Sequence, residues 1–219
     1  MARVLILVEG YTEELFVKNI LAPYLLPRNV FPRATIIPTS KVADGPNFKG
    51  GSISFGKVSP LLKRLLHDRD AALITTCFDF YGLRKDFPKP ERGDCFEKVA
   101  ELEAWVKQQF NDARLNPYFF LHEFEAMMFV RPQVLAEQTS SEKILPALQE
   151  IKLQCSSPEE INDHPDTAPS RRIKALIPGY RKTAHGLSII ENVGLDVIRA
   201  ECPHFNQWLT KLESLGEQV

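Results

Sequence analysis

Apolar residues fall along the first part of the chain in two alternating rhythms. Residues 2–8 hold six apolar side chains interrupted by Arg3, and Glu9-Gly10 closes the run. A short continuous run of this kind predicts a strand buried on both faces of a parallel sheet. Leu15, Phe16, Ile20 and Leu21 follow at helical spacing. They predict an amphipathic helix over residues 12–21, with Thr12 as N-cap and Pro23 and Pro27 ending or kinking it. The alternation then repeats. A second strand is expected over residues 34–37 and a helix over 58–68. A third buried strand, 71–78, ends in Asp79. A long helix is expected over 91–110, a fourth strand over 117–121 ends in His122-Glu123, and another helix begins at Glu125. Strands alternating with helices argue for a parallel sheet with helices on both faces. Past residue 130 only helical spacing remains, over 142–154, 168–176, 187–191 and 205–215. The expected architecture is α/β: a core over residues 1–130 and a helical appendage over 131–219 packed on it, with no visible linker.

Composition narrows the picture little. The chain has 219 residues, 44% of them hydrophobic, enough for one large globular core. A net charge of −1 supplies no general attraction for nucleic acid, so any polyanion site must be local. Cys77, Cys95, Cys155 and Cys202 are widely spaced, as expected for reduced thiols in a cytoplasmic protein and not for a disulfide or zinc framework. The first apolar run is too short for a signal peptide, and no run approaches membrane-spanning length.

The candidate chemistry lies where the strands stop. Glu9, Asp79 and Glu123 each stand at or just past the C-terminal end of an expected parallel strand. Ligands of open α/β sheets bind in the crevice outside those ends. One such acid is ordinary polar punctuation. Three together repel one another unless a cation is bound, and hard oxygen ligands select Mg²⁺ or Mn²⁺. Glu13, in the first turn of the next helix, and Glu125 are the further candidate ligands. Gly51-Ser52-Ile53-Ser54-Phe55-Gly56-Lys57 imitates a phosphate loop. It lacks the Ser or Thr after the lysine and a buried strand leading in, which argues for a plain glycine-rich loop. Arg171, Arg172, Lys174, Arg181 and Lys182 form the one strongly basic stretch. Such a stretch is either a solvated helix face or a phosphate-holding surface. In the second case it folds back on the crevice, and Lys174 reaches the scissile phosphate. His164, His185 and His204 have no metal-binding spacing. Phe119, Phe120, Phe124 and Phe129 read as core.

Strand-Glu9-Gly10-x-x-Glu13 followed by strand-Asp79 resembles the TOPRIM domain, the metal-binding core shared by topoisomerases, bacterial primases and the overcoming-lysogenization-defect nucleases. The blocks around Val8-Glu9-Gly10, Asp79-Phe80-Tyr81-Gly82, Leu121-His122-Glu123-Phe124-Glu125, Ile161-Asn162-Asp163, Ala168-Pro169-Ser170 and Cys202-Pro203-His204-Phe205 are similar to a prokaryotic TOPRIM-like family catalogued as a domain of unknown function. The resemblance implies Mg²⁺-dependent cleavage of DNA or RNA by a nuclease. It also implies a partner ATPase of the ABC or AAA type in a phage-defence or restriction-associated system. Glu9, Glu13, Asp79 and Glu123 would be the catalytic acids, with Glu125 as an added ligand. TOPRIM domains carry Asp-x-Asp, whereas Tyr81 holds the second position here. That leaves open a non-catalytic module that binds a nucleotide or nucleic acid and regulates an ATPase.

Overall fold

The computed structural model describes residues 1–38, 53–162 and 167–217. Gly51 and Ser52 of the glycine-rich loop, together with Asp163 and His164, lie outside them. Strand β1 (Ala2–Val8) is central. It pairs in parallel with β2 (Val30–Ile36) on one side and β3 (Ala71–Asp79) on the other. Two short strands, β4 (Leu115–Asn116) and β5 (Phe119–Phe120), both run parallel beside β3, giving the order β2-β1-β3-β4 with β5 next to β3. The fold is therefore α/β, a parallel sheet flanked by helices.

Burial on both faces explains the unbroken apolar run of β1. Val4, Ile6 and Val8 enter one apolar core, and Leu5 and Leu7 enter the other. The Leu5–Leu7 face is covered by α3 (Phe55–Leu66) and α4 (Cys95–Gln108) through Val58, Leu62, Val99, Leu102 and Val106. The opposite face is covered by α1 (Tyr11–Phe16) and by the helices of the second half. Those are α5 (Pro132–Gln138), α6 (Leu145–Leu153), α7 (Pro169–Leu176), α8 (Leu187–Val193), α9 (Leu195–Glu201) and α10 (Pro203–Glu213). Phe205, Leu209 and Leu212 of α10 share this core with Phe16 of α1. Each such side chain contributes roughly 1.5–3 kcal/mol through burial. No helix among the described residues is long and apolar enough to cross a membrane.

Several elements differ from the sequence expectation for identifiable reasons. Strand β2 begins at Val30, upstream of Pro32. It lies at the sheet edge and pairs only with β1, where a missing N–H is tolerated. The expected strand over 117–121 is two fragments flanking Pro117. There the Thr76 hydroxyl replaces the ladder, donating to the Tyr118 carbonyl (2.7 Å) and accepting from its N–H (2.9 Å). Helix α4 starts at Cys95 because Asp94 and Glu97 form a capping box. Pro23 does not end the first helix. The chain widens into a π turn (Val17–Leu21), Ala22 N–H reaches the Val17 carbonyl, and α2 (Ala22–Leu25) continues. Thr12 is not an N-cap: Gly10 occupies that position, and buried Thr12 has its hydroxyl 3.2 Å from that of Thr183.

Candidate functional site

The register of the sheet decides which strand ends meet. Val8 lies opposite Cys77, so Glu9 and Asp79 leave neighbouring strands, and Asp79 itself pairs with Phe120 of β5. The chain then turns at Glu123 into a buried 3-10 helix, Phe124–Val130, which carries Glu125 inward at 2% exposure. The Phe124 N–H donates to Asp79 Oδ1 (2.9 Å), tying the two strand ends together. Glu13 is buried in the first turn of α1.

The centre of this crevice is a cation from the far end of the chain. Lys182 Nζ lies 3.1 Å from Glu13 Oε1, 3.3 Å from Asp79 Oδ2 and 3.3 Å from Glu125 Oε2. It also sits 5.6 Å from the centroid of the Phe124 ring. Lys182 opens a π turn, Lys182–Gly186, packed closely on the 3-10 helix. A Cβ on Gly186 would meet Met128 Cε at 2.7 Å, so a larger residue there would force the Met128 side chain to shift. Thr183, in the same turn, contacts α1 through Thr12.

One ammonium does not balance these acids. Burial, reinforced by Glu13 and opposed by Lys182, raises Glu9 to about 7. Burial likewise pushes Asp79 well above the ordinary carboxylate range and raises Glu125, in each case against the pull of Lys182. Burial also works against the Lys182 charge, but Asp79, Glu125 and Glu13 outweigh it and hold the ammonium well above its usual pKa. Glu9 accepts no hydrogen bond from the described residues. Glu125 Oε2 is buried with an ion-pair contact to Lys182 but no hydrogen-bonding geometry. These are hard oxygen donors with unmet demand, a set that suits Mg²⁺ or Mn²⁺ in chemistry. Among the described residues, however, no three His, Cys, Asp or Glu side chains stand in an arrangement that could hold a metal ion. Lys182 takes the central position.

Glu9, Glu13, Asp79 and Glu125 are thus gathered, while Glu123 is turned aside. Its carboxylate accepts from Ser170 N (2.8 Å) and Ser170 Oγ (3.0 Å) at the start of α7. Ser170 does not cap that helix as its hydroxyl suggests. It donates instead, and Glu123 is the anion at the positive helix end. Lys174, the lysine the sequence favoured, is exposed on α7 and makes no ion pair with the carboxylates. Residue 182 reaches them because it lies beyond the helix, in the segment that Gly186 lets pack inward. Arg171 and Arg181 are exposed, and Arg172 donates from Nε to the Thr167 carbonyl (2.7 Å). Tyr81, at the second position of Asp-x-Asp, is 43% exposed and offers no carboxylate.

No curated protein sequence matches the chain. Among solved structures, the C-terminal region of the Xanthomonas campestris pv. campestris OLD protein aligns over 96% of this chain and 97% of that one. The identity is 15% and the TM-score 0.31, too low to equate individual residues. The sequence profile of a family described as a domain of unknown function, DUF4276, matches residues 8–213. That span takes in both strand-end acids, the lysine segment and α10, and the chain belongs to the DUF4276 family.

Proposed function

We propose that the chain is a Mg²⁺- or Mn²⁺-dependent nuclease hydrolysing phosphodiester bonds of DNA or RNA. The observation that carries this reading is the crevice itself: Glu13, Asp79 and Glu125 crowd one ammonium while Glu9 accepts no hydrogen bond from the described residues. Buried like charges are costly. A fold that retains them at neighbouring strand ends has a use for a cation there. Glu9, Glu13, Asp79 and Glu125 would hold the ion once Lys182 gives up the central position and the carboxylates draw together, and the ion would supply charge stabilisation to the phosphate and activation of the attacking water. Lys182 holds the carboxylates together before the ion arrives. Its ammonium, on a long stem, would then be a donor available to a phosphate oxygen. Glu123 fixes α7, and hence the segment leading to Lys182, against the crevice. A partner ATPase of the ABC or AAA type belongs to this reading on the family resemblance alone.

The test is cleavage of supercoiled plasmid, single-stranded circular DNA and RNA by the purified chain with Mg²⁺, Mn²⁺ or EDTA. Divalent-dependent cutting that disappears in Glu9→Gln is the expected result. A second reading, a non-catalytic nucleotide- or nucleic-acid-binding module that regulates an ATPase, draws on the central place of Lys182 and on Tyr81. It predicts binding without cutting under every metal.

A further inference from the structure

The large apolar side chains left exposed among the described residues are Met1, Tyr11, Leu26, Tyr81 and Leu153. Both aromatics in this group flank the crevice. Tyr11 (61% exposed) lies two residues after Glu9, and Tyr81 (43% exposed) two residues after Asp79. They leave adjacent parallel strands, whose spacing is about 4.8 Å. An exposed tyrosine beside a catalytic acid on one strand is unremarkable. The same placement after two neighbouring strands puts two exposed aromatic residues just past the strand ends that carry Glu9 and Asp79.

The loop that carries Tyr81 runs on into an open cleft of about 660 Å³, lined by Ser54, Leu83, Arg84, Lys85, Asp86 and Lys89. Cleft and crevice share this loop: Gly82 lies beside Glu9, its Cβ position 3.9 Å from Glu9 Oε2. The loop is held in place. Tyr81 N donates to the His122 carbonyl (3.3 Å), Ile53 N to Gly82 O (3.1 Å) and Arg84 N to Ile53 O (2.8 Å). Phe87 anchors it in the core against Phe55 and Phe119. Asp86, the acid of the cleft, accepts from Gly56 N at the start of α3 (3.0 Å), and Lys85 and Lys89 are exposed beside it.

We propose that this face binds single-stranded nucleic acid, with bases stacking on Tyr11 and Tyr81 and phosphates running along Lys85 and Lys89 into the crevice. The inference rests on the nuclease reading for the reaction and adds its substrate class. Aromatic faces beside a basic groove are how unpaired strands are held without sequence preference. A duplex keeps its bases stacked on one another and presents none to a side chain. Tyr81, the residue that costs the site a carboxylate, supplies a base platform in exchange.

The test measures anisotropy of fluorescein-labelled oligo-dT and of a hairpin duplex of matched length in EDTA, across a salt series. Divalent-dependent cleavage is scored separately. Oligo-dT is expected to bind about tenfold more tightly than the hairpin, and Tyr11→Ala and Tyr81→Ala each to weaken it about tenfold. Tyr→Phe at either position should restore the affinity, because stacking needs the ring and not the hydroxyl. Lys85→Ala/Lys89→Ala should lower the salt slope by about 1.4. Equal affinity for hairpin and strand, unchanged binding in both alanine variants, or phenylalanine as weak as alanine overturns the proposal. Cutting with equal affinities leaves the nuclease reading standing and removes this one. Tyrosine-dependent strand binding without cutting under any metal does the reverse.

Discussion

Glu159 and Glu103 lie among buried groups near the start of α10, and their surroundings contrast with those of the crevice acids. The Glu159 carboxylate accepts from His204 N and Phe205 N, both at 2.9 Å. Glu103 Oε1 accepts from Phe119 N and contacts His204 Nε2, both at 3.0 Å. Tyr118 stacks with both His204 and Trp208, and Trp208 donates to Thr75 (2.9 Å). The orphan there is the neutral Tyr118 hydroxyl. In the crevice, three carboxylates share one ammonium and a fourth, Glu9, accepts nothing from the described residues. Both regions are buried and acidic. The first distributes donors to acceptors as a structural network must. The second leaves charge unmatched, which is the mark of a site awaiting something from outside.

The comparison breaks most readily at Lys182. Lys182→Met removes the one cation that the crevice carboxylates contact among the described residues, and a buried group stripped of its partner costs about 3–5 kcal/mol. Thermal melts should show that loss in EDTA and its partial recovery on adding Mg²⁺. No recovery would mean the lysine is a structural counter-ion. Glu9→Gln should lower divalent-dependent cleavage about a hundredfold, about 2.7 kcal/mol in barrier. In EDTA the same variant should melt at the wild-type temperature or above, because one repulsive group is gone. A large fall in melting temperature would place Glu9 among the structural acids. Glu159→Ala should behave in the opposite way. Two buried N–H groups lose their acceptor, at about 2–3 kcal/mol, and Mg²⁺ should restore nothing.

How far the two regions could be read from the sequence follows the same division. Glu9 and Asp79 stand out because each ends an apolar run long enough to name the strand and short enough to exclude a helix. Lys182 does not stand out. It is one of five cations in a stretch where Arg171, Lys174 and Arg181 face solvent. What selects it is the close approach at Gly186, a contact with Met128 distant in sequence. Gly186, four residues after Lys182, was the available hint. Glu159 and Glu103 are invisible for a related reason: their partners, in α10 and β5, come from distant segments. Short helices beginning at proline or glycine, such as α5 and α9, also carry too little periodicity to be seen.

The smallest expected effect is a pH dependence in the satisfied region. Burial disfavours charge on His204, but Glu103 outweighs it and raises the histidine above its ordinary pKa near 6.5. A raised histidine contributes stability that is fully present below about pH 6.5 and is lost as pH rises through its folded value. The stability difference between wild type and His204→Gln should therefore be largest in acid, shrink on the alkaline side, and be indifferent to Mg²⁺. A difference that is flat with pH would show the pair contributes packing alone.

The central claim is that the crevice carboxylates, and not Lys182 alone, are there to take a divalent cation. Electron paramagnetic resonance of free Mn²⁺ titrated into the metal-free protein tests it most directly. Saturable Mn²⁺ binding, weakened about tenfold or more in both Glu9→Gln and Glu125→Gln, is the predicted result. No saturable binding, or binding that neither substitution alters, would contradict the account and leave the ammonium as the crevice's own permanent cation.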